Sequence, residues 1–446
     1  MIELDNNCEL LDILATEDFL LKEAWAKVNK ENKQSFGISG ENIEKFAMNL
    51  ETKIPSLSKK LKGKIFHFSP TRPYIIPKNN GKPRPLQIPE VKDRVVLKGI
   101  ALLLEECLSE QLAPSRGYSF AYQKKWGVKD AVLQMEKYYN EGYTTVLEAD
   151  IIDFFPSVDK QLLLNSLFNL LPDQSLNDLI TSALCQPIGE LNELILPEHH
   201  HLFHNRGIPQ GNSISPILSN LYLAPFDKAM IDGGFKLIRY ADDFIVMCKD
   251  ADEAKAAYQL AIDILENSLN LKLHPLSDKH DSKTKIHALP EKSFSFLSVA
   301  FDGKKLYPSL KAVTQLQKAL TILCHTPKET PNVLKLLSRV KNTVDGWLSS
   351  YSYTDVERYE KKIDNMINEL LLDGITRLGW KPKKSSLENL PVRDRSTRKS
   401  GEMLSKKQRE NSGVPMSMDT LVTRRTKQEE KKKQEEKKKQ KKTEAA

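Results

Sequence analysis

Residues 235–249, FKLIRYADDFIVMCK, hold two apolar runs joined by Ala241-Asp242-Asp243, and this spacing predicts two strands closed by a tight hairpin. Upstream, TTVLEADII (144–152) reads as another strand, with Asp150 near its end. Between the two, SISPILSNLYLAPFDKAM (213–230) reads as a buried helix. Downstream, DEAKAAYQLAIDILENSLNLKL (252–273) is an amphipathic helix, and FSFLSVAF (294–301) is strand-like. The order strand, helix, hairpin, helix, strand predicts an α+β domain of ferredoxin-like topology.

The flanks read differently. Residues 1–65 are helical and polar, with Leu10, Leu11, Leu14 and Phe19 at helical spacing. A proline-punctuated extended stretch follows (68–94), in which Asn79-Asn80-Gly81 signals a turn between short strands. RVVLKGIALLLEECLSEQL (94–112) predicts a largely buried helix. Residues 307–380 are helical throughout, and 381–446 form a low-complexity Lys/Glu tail, read as a solvated helix or a disordered segment.

Composition limits the options. No run of about 18 apolar residues exists, which excludes a membrane-spanning helix. The N-terminus carries acids where a leader needs bases, and five scattered cysteines form no CxxC pair. The expectation is a reducing, cytoplasmic setting without disulfides or a cysteine-based zinc site. The net charge of +8 invites a nucleic-acid reading, but its distribution is uneven. Residues 381–446 hold 21 Lys+Arg and 10 Asp+Glu, whereas residues 1–380 hold 46 and 49. Nucleic acid would therefore be held by local arrangement, with the tail as a salt-sensitive auxiliary.

The carboxylates carry the chemistry. An Asp at a strand end is ordinarily a turn or cap residue, and adjacent Asp residues in a hairpin are ordinary too. Here apolar strands on both sides hold the like charges close, and a divalent cation would relieve their repulsion. Three carboxylates converging at one sheet end suit two Mg²⁺ ions about 3.5–4 Å apart, with Mn²⁺ as a substitute. Phosphoryl transfer asks mainly for positioning and charge neutralisation, so a few placed acids suffice.

From Phe66 to Gly379 the chain resembles a reverse transcriptase of the bacterial, group II intron-like lineage. The resemblance implies a right-hand polymerase: a helical extension (1–65), fingers and palm (66–306), a helical thumb (307–380) and the basic tail (381–446). It implies Asp150, Asp242 and Asp243 as metal ligands, with the backbone carbonyl of Ile151 added. RGIPQGNSISPILSNLYL (206–223) resembles the motif beneath the nascent base pair, placing Gln210 and Gly211 near nucleotide and template. RPLQIPEVKDRVVLKGI (84–100) resembles the fingers motif, so Lys78 and Arg84 would neutralise the incoming triphosphate. SRGYSFAYQKKWGVKDAV (115–132) resembles the template-strand element; Arg94 and Arg116 are assigned to nucleic acid or, alternatively, to the fold. Tyr240 joins the nucleic-acid contacts. Phe155 occupies the place of the aromatic steric gate, and Lys283 that of the lysine that protonates pyrophosphate. Both also have plainer readings, a core aromatic and a surface lysine.

Implied substrates are an RNA template, a DNA primer or cDNA product, and dNTPs. Within the class the chain looks most like stand-alone, defence-associated enzymes of type 2, which copy a dedicated structured non-coding RNA in antiphage defence. It retains Gln210-Gly211 and Ser215-Pro216 and shows no Cys/His nuclease constellation. The alternatives are an intron-type maturase lacking a nuclease, or a non-catalytic RNA-binding splicing cofactor.

Overall fold

The apolar patterning is realised in a computed structural model that describes residues 8–77, 83–277, 279, 282–291, 294–326, 332–380 and 404–443. Strands β1 (Arg72–Pro77) and β2 (Pro83–Ile88) pair antiparallel, with Ile76 opposite Arg84. The turn expected at Asn79-Asn80-Gly81 lies outside the described residues, as does Lys78.

The central sheet holds β3 (Thr145–Asp150), β4 (Lys236–Tyr240), β5 (Asp243–Cys248) and β6 (Lys285–Ala288). Its spatial order is β4-β5-β3-β6, every neighbouring pair antiparallel. This is the ferredoxin-like order, as the sequence pattern predicts. The fourth strand, however, is Lys285–Ala288 and not FSFLSVAF. The latter becomes β7 (Ser295–Phe296) and β8 (Val299–Phe301), which with β9 (Leu306–Pro308) form a separate sheet in the order β7-β8-β9. KIHA is too short and too polar to announce a strand by periodicity; pairing with β3 makes it one.

Strand alternation sorts the central sheet into two faces. Leu147, Ala149, Leu237, Phe244, Val246 and Cys248 share the face buried in the main core, with the helices Ser215–Asp232 and Ala251–Asn267. The opposite face carries Glu148, Asp150, Asp243, Ile245, Ile238 and Tyr240. The helix Val128–Asn140 packs along β4 and β5, and the aspartate end stays accessible. The N-terminal residues Leu10, Leu14 and Phe19 belong to the same core as the helix Val91–Cys107. Gly99 makes this possible: a Cβ there would stand 2.5 Å from Leu14 Cδ1.

Residues 1–288 and 289–446 form two compact units. The division falls at Ala288, not at residue 307, because β9 packs with the helical segment: Asp355 N–H donates to the Leu306 carbonyl at 2.7 Å. In the second unit the helices Leu310–His325, Val333–Ser350 and Glu360–Arg377 enclose Leu320, Val340, Val344, Ile367 and Leu371.

The tail takes the helical one of its two readings, but part of it is anchored in a core. Residues 381–403 lie outside the described part, but Lys406–Asn411 and Ser417–Thr443 are helical. Leu404, Val414 and Leu421 enter the core of the second unit. Arg409 is fully buried and pairs with Asp364 at 2.9 Å, donating also to the Asn368 side chain and the Pro415 carbonyl. The Asp364 carboxylate in turn accepts from the N–H and Oγ of Ser417 at the start of the last helix. A few apolar anchors and one buried ion pair outweigh the low-complexity composition. Removing one partner of such a pair costs about 3–5 kcal/mol, because the other charge stays buried alone. Arg409→Met is therefore expected to destabilise the second unit by about that amount, read as lost hydrogen-exchange protection across Val333–Ser350.

Candidate active site

Register assembles the site. Asp150 and Asp243 stand directly opposite each other across β3 and β5, and Tyr240 stands opposite Asp243 across β4 and β5. Asp242 lies in the two-residue connection, whose first residue, Ala241, has φ +61°. Lys283, just before β6, places its Nζ 2.5 Å from Asp150 Oδ2. On the same oxygen, His274 Nε2 approaches to 3.6 Å, and the His274 N–H donates to the Asp150 carbonyl. Ile151 is buried and bridges to Leu273.

Asp243 opens to solvent at the sheet end, yet protein crowds its remaining sides. That crowding, then the negative charges of Asp242, Asp150 and Glu148, push its carboxyl up to about 6, against the opposing pull of Lys283. Among the described residues, no group of three or more His, Cys, Asp or Glu side chains is already gathered as a metal array. The Lys283 ammonium pairs with Asp150 at this end of the sheet. The donor set itself, hard carboxylate oxygens whose mutual repulsion is registered at Asp243, fits a divalent ion of the Mg²⁺ type.

What fixes the turn was not read from the sequence. Arg239, fully buried on the core face of β4, makes a two-bond pair with the buried Asp227 of the helix beneath, Nε–Oδ1 2.6 Å and Nη2–Oδ2 2.5 Å. Its Nη1 donates to the Ala241 carbonyl at 2.9 Å and to Asn220 Oδ1 at 3.2 Å. Its backbone holds a further segment: Arg239 N–H donates to Tyr118 O, and Phe120 N–H donates to Arg239 O. An arginine inside a strand otherwise read as apolar was the available signal.

The 206–223 motif is fixed by contacts its residue types explain. Gly207 has φ +63°, and a Cβ there would lie 1.9 Å from the Phe155 carbonyl, which accepts from Ile208 N–H at 2.9 Å. Gly211 has φ +105°, and a Cβ there would lie 2.7 Å from the Gln87 carbonyl. Gln87 N–H donates to the Gln210 carbonyl at 2.8 Å, so β2 is tied to this loop. Asn212 and Ser215 brace it, bonding to the Ala183 and Pro209 carbonyls. The Gln210 Oε1 is buried and has no hydrogen-bond partner among the described residues.

Phe155 is half-buried, its ring edge-on to Phe154 at 5.5 Å. Arg84 is exposed on β2, within electrostatic reach of Tyr122, which in turn lies near Asp242 and Asp243. Arg94 serves the fold: its Nε donates to the Pro89 carbonyl and its Nη1 to Ser35 Oγ, both at 3.0 Å. Arg116 is exposed and bonds to the Ser109 carbonyl, at a surface loop. No helix among the described residues is long and apolar enough to cross a membrane.

A ferredoxin-like sheet presenting three aspartates at its open end is the palm of a right-hand polymerase. The family model "Reverse transcriptase (RNA-dependent DNA polymerase)" matches residues 76–301, and the chain belongs to that family. It is 24% identical to Protein YkfC of Escherichia coli over 59% of this chain and 77% of that protein. It is 27% identical to a putative COX1/OXI3 intron 2 protein of Saccharomyces cerevisiae, over 50% of this chain and 24% of that protein. It is 28% identical to the group II intron-encoded protein LtrA of Lactococcus lactis, over 44% of this chain and 31% of that protein. The chain thus has homology to group II intron-encoded reverse transcriptases while spanning under a third of those two proteins.

The raised Asp243 carboxyl has a stability consequence. Its value in the fold, about 6, exceeds the ordinary 3.8, so folding takes up a proton between those values. Stability of the metal-free protein should fall as pH rises through that window. Asp243→Asn should raise the melting temperature in EDTA at pH 7, with the gain vanishing below about pH 4. An unchanged or lower melting temperature at pH 7 would refute the repulsion.

Proposed function

We propose that this chain adds deoxynucleotides to a 3′ hydroxyl on an RNA template by two-metal phosphoryl transfer. The observation that carries the reading is the direct opposition of Asp150 and Asp243 at the accessible end of one sheet, with Asp242 in the adjoining turn. These carboxylates, with the Ile151 carbonyl, would hold Mg²⁺. When bound, Mg²⁺ lowers the pKa of the attacking hydroxyl and neutralises charge on the phosphates.

The chain's own residues supply the rest. Lys283 Nζ, 2.5 Å from Asp150 Oδ2, would supply a proton to the leaving pyrophosphate once Asp150 is otherwise neutralised. Arg84, exposed on β2, suits the triphosphate, a role shared with Lys78. The half-buried ring of Phe155 would exclude a ribose 2′-hydroxyl. Gln210, with a buried unbonded Oε1 beside the β2 contact, would receive a donor from nucleotide or template.

The direct test is primer extension on RNA with Mg²⁺ and dNTPs. Asp242→Ala with Asp243→Ala should lower the rate at least about a thousandfold with the fold retained. Extension that survives would overturn the ligand assignment. Phe155→Ala should raise NTP use relative to dNTP by about 10- to 100-fold in the same assay.

The setting we infer is antiphage defence, with a dedicated structured non-coding RNA as template; the resemblance to stand-alone, defence-associated enzymes is what supports it. Homology to intron-encoded proteins supports a second reading, an intron RNA as the partner. Sequencing RNA and cDNA that co-purify with the protein separates them: one abundant non-intron RNA with its cDNA, or a catalytic intron.

A further inference from the structure

Tyr122 is a bulky residue held at φ +59°, a left-handed conformation that costs free energy for any residue carrying a Cβ and that glycine adopts freely. Such strain persists only where surrounding structure imposes it. Here the imposition is visible. Residues Tyr118–Phe120 run parallel to β4 along its free edge, with Ser119 abreast of Arg239. The Ala121 carbonyl is then fixed by the buried Asn220 Nδ2 at 2.9 Å. Tyr122 follows directly on this anchored carbonyl, within electrostatic reach of Asp242.

Its side chain is 48% exposed, so the strain is not offset by full burial of the ring. Its neighbourhood is the proposed polymerase site: Asp242, Tyr240, Arg84 and Asp243 all lie within electrostatic reach. Crowding and the nearby Asp242 raise the phenol's pKa, so the hydroxyl remains a proton donor. Across the sheet end, Tyr122 flanks the β4 side of the carboxylates and Lys283 the β6 side.

We infer that Tyr122 contacts the base pair formed between template and incoming nucleotide, and that it sets the accuracy of nucleotide selection. A neutral ring with a polar tip suits the edge of a base pair; phosphate is better served by Arg84 and the sugar by Phe155. The inference rests on the polymerase reading. It adds a specificity-determining residue at the edge of β4.

Tyr122→Gly and Tyr122→Phe are compared with wild type for melting temperature and for single-nucleotide incorporation, correct and mismatched, on a DNA primer annealed to RNA. Tyr122→Gly relieves the strained backbone, so its melting temperature should equal or exceed that of wild type. Its kcat/KM for the correct nucleotide should fall about tenfold, and the mismatched-to-correct ratio should rise about tenfold. Tyr122→Phe, which keeps the ring, should restore most of the rate. Wild-type rates and accuracy in Tyr122→Gly would overturn this role alone. A lowered melting temperature with proportionate loss of activity and unchanged accuracy would make Tyr122 a packing residue. A wild-type chain inert on this substrate would overturn the polymerase reading and this one with it.

Discussion

The hairpin that ends the sheet at Asp242 and Asp243 depends on one buried pair, Arg239 with Asp227. Two buried charges are not an economical way to stabilise a core, since apolar residues of similar volume commonly do as well. What apolar residues cannot do is donate at fixed angles to several carbonyls. The Arg239 guanidinium meets Asp227, Asn220 and the Ala241 carbonyl together, while its backbone pairs with Tyr118 and Phe120. The hairpin that carries Asp242 and Asp243 and the segment that carries Tyr122 are thereby held to the same helix. The pair is there for geometry.

Close approach of backbones does the corresponding work on the other side. Gly207 seats the 206–211 loop against Phe155, and Gly211 seats it against Gln87 of β2. At both positions φ is positive and a Cβ would overlap a carbonyl oxygen, so glycine is required twice over. The strand end bearing Asp150, the fingers hairpin bearing Arg84 and the loop bearing Gln210 become neighbours by these contacts, although they lie far apart in sequence. Their spacing is then fixed by backbone-to-backbone contacts and not by flexible side chains.

The legible part of the sequence was the part in which local pattern and tertiary role coincide. Apolar runs around Ala241-Asp242-Asp243 and before Asp150 mark strands wherever they pack, and their order dictates the ferredoxin-like sheet. β6 was not legible, because Lys285–Ala288 is a strand only through its pairing with β3. The tail misled for a related reason. Its helix is dominated by Lys and Glu, and the residues that decide its fate, Leu404, Arg409, Val414 and Leu421, are few and widely spaced. Arg94 looked like one more cation in a fingers motif, and only its carbonyl and hydroxyl partners show that it braces the fold. Tyr122 carried no signal, since a left-handed tyrosine is a property of the backbone that composition does not register.

These features share a direction of cost. The sheet end gathers Asp150, Asp242 and Asp243, with Asp243 unwilling to ionise, and the edge beside it strains Tyr122. Neither would survive in a protein selected for stability alone. Both sit on elements anchored by extensive burial, and the Arg239 network prevents the turn from relaxing away from the repulsion. The Lys283 ammonium on Asp150 opposes that repulsion from the β6 side. A positive charge carried in on a flexible side chain thus offsets a repulsion that the register of β3 and β5 imposes.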